Sequence, residues 1–262
     1  MLKKEQLLKR INNPEDRLLV SKLLDKAELS EKTGGPAHTG FLDPRQQSLL
    51  DKALEGIDIE YDFYGGYVGA ERAIAIFRPD FYEPEDDERN AYFRVLNLRP
   101  NKREGLTHRD YLGSLMGLGI KREKTGDIIV AEDVCSIIVL SEIADYISGN
   151  LTKVGNTGVS IETANTDGIK APEPKVREIK ATVASLRLDC VAAPGFGMSR
   201  SKAAEFIRAG RLSLNWAETE NPDRAVKEGD VLSIRGKGRV VVETVGGRTR
   251  KDRIGIVLKK FV

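Results

Sequence analysis

The sequence predicts an α+β protein in three parts: a helical and mixed N-terminal region, a central domain with a ferredoxin-like order of elements, and a basic C-terminal domain. Three observations lead to this prediction. Helical apolar periodicity dominates the first 56 residues, β and α signals then alternate as β-α-β-β-α-β, and basic residues concentrate after residue 174. The predicted boundaries are 1–80, 81–170 and 182–262, with residues 171–181 as the linker.

The N-terminal region, from about residue 3 to residue 56, is predicted to be mostly helical. Leucines such as Leu19 and Leu23 recur at the spacing of one helix face, and the turn residues Gly34-Gly-Pro36 divide the region. Two runs of strand type follow, Ile57–Tyr64 and Ala73–Phe77. This part of the chain is therefore expected to combine helices with a small sheet.

The central domain is predicted from the order of its signals. Thr107-His-Arg-Asp110 has the pattern of a capping box and opens a helix that a glycine at 117 or 119 ends. The other predicted elements are strands at Phe93–Leu98, Asp127–Val130, Cys135–Leu140 and Gly158–Thr163 and a helix at Ser141–Ile147. RNA-recognition motifs share this order and stack bases on aromatic residues of their central strands. Tyr92 and Phe93 are candidates for such stacking here, whereas Cys135–Leu140 contains no aromatic residue.

Composition excludes several classes of protein. With 40% hydrophobic and 31% charged residues the chain resembles a soluble globular protein, not a disordered one. No apolar run approaches the roughly 18–20 residues that cross a bilayer, and Met1–Arg10 has the pattern of an amphipathic helix instead of a signal peptide. Cys135 and Cys190 are distant and outside any CxxC pair, which predicts reduced thiols in the cytoplasm. We expect a cytoplasmic monomer with no membrane partner, metal or cofactor.

Charge is distributed unevenly between the two ends of the chain. Residues 175–262 contain 19 Lys and Arg against 10 Asp and Glu, a net charge of +9, whereas residues 1–174 carry −7. A basic module beside an acidic body is the pattern expected when one module meets a polyanion. A basic tail that only improves solubility is the alternative.

The C-terminal domain opens with a predicted strand at Glu178–Ser185, after the Pro-containing segment Asp167–Pro174. A short helix begins at Arg187, and Ser199 is a suitable N-cap for a second helix that Gly210 ends. On that second helix Ala203, Ala204, Phe206 and Ile207 form one apolar stripe, with charged residues on the other side. Further strands are predicted at Leu212–Asn215 and Val231–Arg235.

This run resembles the S4 RNA-binding domain of ribosomal proteins and RNA-modifying enzymes. The resemblance depends on Arg187-Leu-Asp189, Ser199-Arg200, Ala203, Ile207, Gly210, Asn215, Val226, Gly229-Asp230 and Arg235-Gly-Lys-Gly-Arg239. Trp216 departs from it, because many such domains have glycine after the asparagine. The loop Met198–Lys202 also resembles a nucleotide-binding loop of some aminoacyl-tRNA synthetases, but the His-x-Gly-His signature that those enzymes carry upstream is missing.

We predict that this domain clamps phosphate groups. Arg200 is placed in the first turn of a helix, where free N–H groups and the helix dipole favour anions. Its planar guanidinium and the surrounding cations suit the phosphates of folded RNA better than base-by-base reading. The predicted RNA-binding residues are Ser199, Arg200, Lys202, Arg208, Arg211, Arg235, Lys237 and Arg239.

Over nearly its whole length the sequence resembles the YlmH family, bacterial proteins encoded in the cell-division gene neighbourhood. The matching segments are Thr39–Gln46, Leu106–Arg122 with Gly126-Asp127, and Thr182–Asp189. The resemblance implies that ribosomal RNA and tRNA on the large ribosomal subunit are partners, in quality control of stalled nascent chains. It also implies that Ser199 and Arg200 lie at the ribosomal RNA contact.

Two other functions compete with this interpretation. An RNA-modifying enzyme is one, because Arg187-Leu-Asp189 resembles the catalytic context of pseudouridine synthases, although Cys190-Val-Ala replaces their following Thr/Ser-Gly. Gly65–Gly69 is too loose for a methyltransferase loop, and the two histidines, His38 and His108, accompany no nucleophile. A scaffold of the division site, with quality-control or cell-division proteins as partners, is the other. We therefore predict a protein without catalytic residues.

Overall fold

The computed structural model describes residues 4–82, 91–102, 105–166, 169 and 176–261. The chain forms two compact units, Met1–Pro172 and Glu173–Val262. The N-terminal region and the central domain, predicted as separate parts, thus lie in one unit. The predicted linker 171–181 is too long at its C-terminal end, because residues 176–181 pair with a neighbouring strand. Most of the segment Asp167–Pro174 lies outside the described residues.

The first unit begins with helices and a small sheet, as predicted. Asn13 accepts hydrogen bonds from the N–H groups of Glu15 and Asp16 and so opens the long second helix, which Gly34 ends in a left-handed conformation, φ +70°. The elements are α1 (Lys4–Leu8), α2 (Pro14–Thr33), β1 (Ala37–His38), α3 (Pro44–Leu54), β2 (Glu60–Tyr64) and β3 (Ile74–Arg78), with the strands in the order β1-β3-β2. Leucines of the helices pack on Ala75 and Phe77 of β3.

The central elements confirm the predicted β-α-β-β-α-β order, with one additional strand of two residues before the last. They are β4 (Phe93–Pro100), α4 (His108–Gly117), β5 (Thr125–Val130), β6 (Cys135–Leu140), α5 (Ser141–Asn150), β7 (Lys153–Val154) and β8 (Thr157–Ala164), with a 3-10 turn at Arg122–Lys124. The strands pair antiparallel in the order β5-β6-β4-β8-β7. One face of this sheet packs on α4 and α5 through Leu96, Leu98, Ile137, Val139, Tyr111, Leu115, Ala144 and Ile147.

The other face of the central sheet is covered around Phe93. Phe93 is fully buried, and its ring centroid lies 5.5 Å from those of Phe41 and Tyr64 in the N-terminal region. The ring of Tyr92 contacts His38 at 4.8 Å. Because bases stack only on exposed rings, the candidate Phe93 is not available for base stacking, and the candidate Tyr92 is half-buried against His38.

Two segments that carry the family resemblance pack against each other in this unit. The N–H of Phe41 donates to the carbonyl of Glu123 at 2.7 Å, and a Cβ on Gly126 would lie 2.6 Å from the Phe41 ring. Asp127 accepts hydrogen bonds from the hydroxyl of Tyr67, at 2.8 Å, and from the N–H of Arg72, at 3.0 Å. These residues therefore hold the N-terminal region on the central sheet.

The second unit is a sheet with two helices on one face. Its elements are β9 (Val176–Val183), α6 (Leu188–Phe196), α7 (Arg200–Arg208), β10 (Leu212–Leu214), β11 (Ala217–Glu218), β12 (Val231–Ile234), β13 (Gly238–Arg248) and β14 (Ile254–Phe261). The strand order is β11-β10-β12-β13-β14-β9. Its core is formed by residues such as Val191 of α6, Ile207 of α7, and Leu232, Val240 and Leu258 of the sheet.

The tight turn between β10 and β11 contains Asn215, which belongs to the S4 pattern, and Trp216, which departs from it. Asn215 donates through Nδ2 to buried Asp230 at 2.9 Å and accepts from the N–H of Val231 at 2.8 Å. Asn215 and Trp216 both have positive φ, +50° and +60°. A two-residue hairpin turn of this kind favours Asn-Gly, so Trp216 occupies a position that suits glycine.

Candidate nucleic-acid interface

The helix α7 is positioned by local signals at both of its ends. The Ser199 hydroxyl accepts a hydrogen bond from the N–H of Lys202 at 3.2 Å, and Gly210 follows the helix with φ +65°. Ala203 and Ile207 are fully buried, so α7 packs on the sheet through the predicted apolar stripe. Its charged residues consequently lie on the outer face.

At the N-terminal end of α7, Arg200 binds a buried carboxylate. Its Nε donates to Oδ2 of Asp189 at 2.8 Å, while Arg187 reaches the same carboxylate at 3.3 Å and also pairs with Asp223. Burial favours the neutral form of Asp189, but hydrogen bonds from the two guanidinium groups outweigh it and hold its pKa below the ordinary value. Arg200 therefore has a structural partner that the sequence did not reveal.

The Arg200 guanidinium nevertheless remains accessible. Its side chain is 53% exposed, and only its Nε is hydrogen-bonded to the part of the chain that the structure describes. Its two terminal amino groups can still donate to a ligand. Asp189 thus fixes the orientation of a donor group that faces solvent.

At the C-terminal end of α7, two predicted cations converge on one aromatic ring. The guanidinium carbon of Arg211 lies 4.5 Å from the Phe206 centroid, and Nζ of Lys237 lies 5.9 Å from it. Phe206 itself is buried, so it supports these cations rather than stacking on a base. Sequence reasoning placed Phe206 in the apolar stripe but missed its second contact.

Arg211 and Arg235 line a shared open cavity of about 550 Å³ together with Ser213, Glu218 and Ser233. Arg239 pairs with Ser233 across β12 and β13, and its guanidinium lies over Phe261, 4.4 Å from that centroid. It projects from the face opposite the core, since the next residue, Val240, is fully buried. The predicted residues thus form one group at each end of α7, with Arg239 on the outer face of the sheet.

A further basic segment was not among the predicted residues. The turn between β13 and β14, Arg248-Thr-Arg-Lys-Asp-Arg253, holds four cations and one carboxylate, and all six residues are exposed. Arg253 and Arg200 line the same cavity. The signal was present as a run of charge, but the sequence could not show that this turn lies beside α7.

The two motifs that suggested an enzyme have structural surroundings in this fold. Asp189 is held by two arginines, and Gly65–Gly69 connects antiparallel strands instead of opening a helix. Cys135 and Cys190 are free and buried, and burial raises the pKa of Cys135 to about 12. Within the described ranges, no three His, Cys, Asp or Glu side chains gather as metal ligands. Along those same stretches, no helix has the length and apolar content to cross a membrane.

Comparison with known proteins gives independent information. A family model described as "Putative RNA-binding domain in YlmH" matches residues 89–168. The chain is 34% identical over 247 residues to the ribosome-associated protein quality control protein P2 of Bacillus subtilis (strain 168), over 94% of the chain and 95% of that protein. It is 41% identical over 69 residues to the small ribosomal subunit protein uS4 of Citrifermentans bemidjiense, over 25% of the chain and 33% of that protein. The solved structure of the cell division protein ylmH from Streptococcus pneumoniae matches with a TM-score of 0.51 and 28% identity, over 61% of the chain and 98% of that structure.

Proposed function

The chain belongs to the YlmH family, and we propose that it is a non-catalytic RNA-binding protein that contacts structured RNA of the large ribosomal subunit through its C-terminal unit. By its name, the Bacillus subtilis relative acts in ribosome-associated quality control. We extend this role to the present chain, in the cytoplasm, as a monomer without cofactors. The proposal includes tRNA as a second RNA partner, and quality-control or cell-division proteins as protein partners.

One observation carries the proposal: five cations around α7 are exposed and lack acidic partners in the part of the chain that the structure describes. None of them forms an ion pair with a residue in the described ranges, whereas Lys259, on the sheet, pairs with Glu243 at 2.7 Å. These five cations are Lys202, Arg208, Arg211, Arg235 and Lys237. An uncompensated group of this kind is suited to the phosphates of a nucleic acid.

The geometry favours contacts to the backbone of folded RNA. A helix of nine residues is about 13 Å long, so cations at its two ends can reach different phosphates of one strand. The Arg211 guanidinium lies over the Phe206 ring, and this contact reduces the entropy that the side chain loses on binding. No described ring of α7 is exposed for base stacking, so recognition by shape is expected.

The test is co-sedimentation with purified large ribosomal subunits at two salt concentrations. We expect the double variant Arg211→Ala/Lys237→Ala to bind about tenfold more weakly or worse, with a shallower salt dependence. The control is Lys9→Ala/Arg10→Ala, which removes two exposed cations from the first unit. Melting curves would show whether uncovering Phe206 unfolds the domain. Equal binding by both variants would contradict the proposal.

The absence of catalysis needs a separate experiment. Ribosomal RNA incubated with the protein and S-adenosylmethionine should give nucleosides of unchanged mass, and pseudouridine-specific chemistry should detect no new site. Turnover that Asp189→Asn abolishes would establish the enzyme alternative instead.

A further inference from the structure

The turn between β13 and β14 concentrates positive charge at an exposed position. Between Arg248 and Arg253 there are four cations and a single carboxylate, a net charge of +3 in six residues. Every one of these residues is exposed. The turn contains no aromatic side chain, and its cations are suited to contacts with a phosphate backbone.

The turn is ordered by its own hydrogen bonds. The N–H of Thr249 donates to the carbonyl of Arg253 at 2.6 Å, and the N–H of Asp252 donates back to Thr249 at 2.9 Å. Asp252 has φ +56° and pairs with Arg248. A turn that is already formed loses little backbone entropy when a ligand binds.

The four cations of the turn have different roles. Arg253 donates through Nε to the hydroxyl of Thr182 at 3.0 Å and also to the Thr182 carbonyl, which fastens the turn to β9. Arg248 is compensated by Asp252. Arg250 and Lys251 form no hydrogen bond or ion pair with any described residue, so they are available to a ligand.

Arg253 connects this turn with the N-terminal end of α7. A cavity of about 240 Å³ is lined by Arg253 and Arg200, with Val183, Cys190 and Pro194 among its walls. The terminal amino groups of Arg200 are free to donate there. A phosphate at this cavity would meet guanidinium groups from two separate elements.

We propose that the β13–β14 turn is a second contact for the RNA phosphate backbone, continuous with the α7 site through the cavity between Arg200 and Arg253. Arg250 and Lys251 supply the charge, while Arg248 and Arg253 position them. The inference rests on the proposed RNA-binding function and extends its surface from the helix to the sheet. Contacts here are to phosphates, so they strengthen binding without reading sequence.

The experiment measures binding of a fluorescently labelled RNA stem-loop, and of purified large subunits, across a salt series. The turn variant is Arg250→Ala/Lys251→Ala, and the matched control is again Lys9→Ala/Arg10→Ala, with the same change in net charge. We expect the turn variant to bind about tenfold more weakly and its salt slope to decrease by about two, whereas the control keeps both values. Its melting temperature should stay unchanged, because neither side chain has a partner among the described residues.

The variant Arg211→Ala/Lys237→Ala distinguishes a failure of the turn contact from a failure of the proposed RNA binding at α7. If it loses RNA affinity while the turn variant keeps the wild-type affinity and slope, the α7 site stands and the turn contact is refuted. If both variants bind the RNA as the wild type does, these cations of the C-terminal unit do not contact the RNA, and the proposed binding through that unit fails. A turn variant that binds free RNA normally but loses affinity for subunits would assign the turn to a ribosomal protein and overturn the RNA contact.

Discussion

Replacing Asp189 with Asn tests whether this residue is the structural centre of the α7 site. The Asp189 side chain is 5% exposed and receives one short hydrogen bond, from Arg200 at 2.8 Å. Arg187 makes two longer ones, at 3.3 and 3.4 Å. Asparagine has nearly the same shape but lacks the negative charge, so the variant removes the ionic interaction without opening a cavity.

The expected decrease in the free energy of unfolding can be calculated approximately from these contacts. A hydrogen bond to a charged group contributes about 1.5–3 kcal/mol, and the two longer bonds add little. Both arginines are partly solvated and asparagine costs less to bury than a carboxylate, so we expect a net loss of about 1–2 kcal/mol. In urea this corresponds to a decrease of roughly 0.5–1 M in the midpoint of unfolding.

The assay is urea unfolding of the full chain, followed by a probe in the second unit such as Trp216 fluorescence. Asp223→Asn is the matched control, because Asp223 also pairs with Arg187 but is 60% exposed. We expect the control to change stability by less than about 0.5 kcal/mol. If Asp189→Asn is no less stable than this control, the ion cluster does not support the site.

The pH dependence supplies an independent check with a defined sign. Because the folded pKa of Asp189 is depressed, its stabilising contribution is fully present above the unfolded value, near 3.9, and is lost as the pH falls through the folded pKa. The difference in unfolding free energy between the wild type and Asp189→Asn should therefore be constant between about pH 5 and 8 and should decrease below about pH 4. If this difference is equally large in acid, the loss of stability is caused by packing and not by charge.

Two further predictions concern the first unit. Phe93→Ala should destabilise the protein by about 3–5 kcal/mol, because the ring is fully buried, but RNA affinity of the folded protein should not change. Weaker RNA binding by a stably folded Phe93→Ala variant would restore the base-stacking hypothesis. Gly126→Ala should cost about 1–3 kcal/mol, since its Cβ would lie 2.6 Å from the buried Phe41 ring. The control Gly113→Ala, on α4 with no heavy atom within 4 Å of its Cβ, should stabilise by about 0.5–1 kcal/mol in thermal unfolding; equal effects at the two glycines would contradict the packing argument.

The elements most accurately predicted from the sequence are those with local signals. Ser199 and Gly210 delimit α7 because a cap and a left-handed terminus involve only neighbouring residues. The order of central strands also followed from local patterns. By contrast, the extent of β9 depends on pairing with β14, more than 70 residues later in the chain. The amino-acid composition of the predicted linker does not show that a distant strand pairs with it.

Within the candidate site, the sequence showed the charges but not their environments. The partner of Arg200 is set by the packing of α6 beside α7, and Arg211 is oriented by Phe206. The exposure of an aromatic residue also depends on residues that are distant in the sequence. Phe93 has the sequence position of a stacking residue, yet Phe41, 52 residues earlier, covers it.

The buried sheet face changes where RNA contacts should be sought. The family model for residues 89–168 describes an RNA-binding domain, but Phe93, the aromatic residue of its first strand, is fully buried in this chain. Any RNA contact of the first unit must therefore use residues other than Phe93. The second unit presents the opposite situation, because its cations lie outside its core and many lack acidic partners. Removing charge from α7 or from the β13–β14 turn thus leaves packed residues in place, so affinity can be altered there with little change in stability. In the first unit, changes at Phe93 or Gly126 alter the stability of the fold. A binding surface is therefore identified by variants that lower RNA affinity but leave stability unchanged.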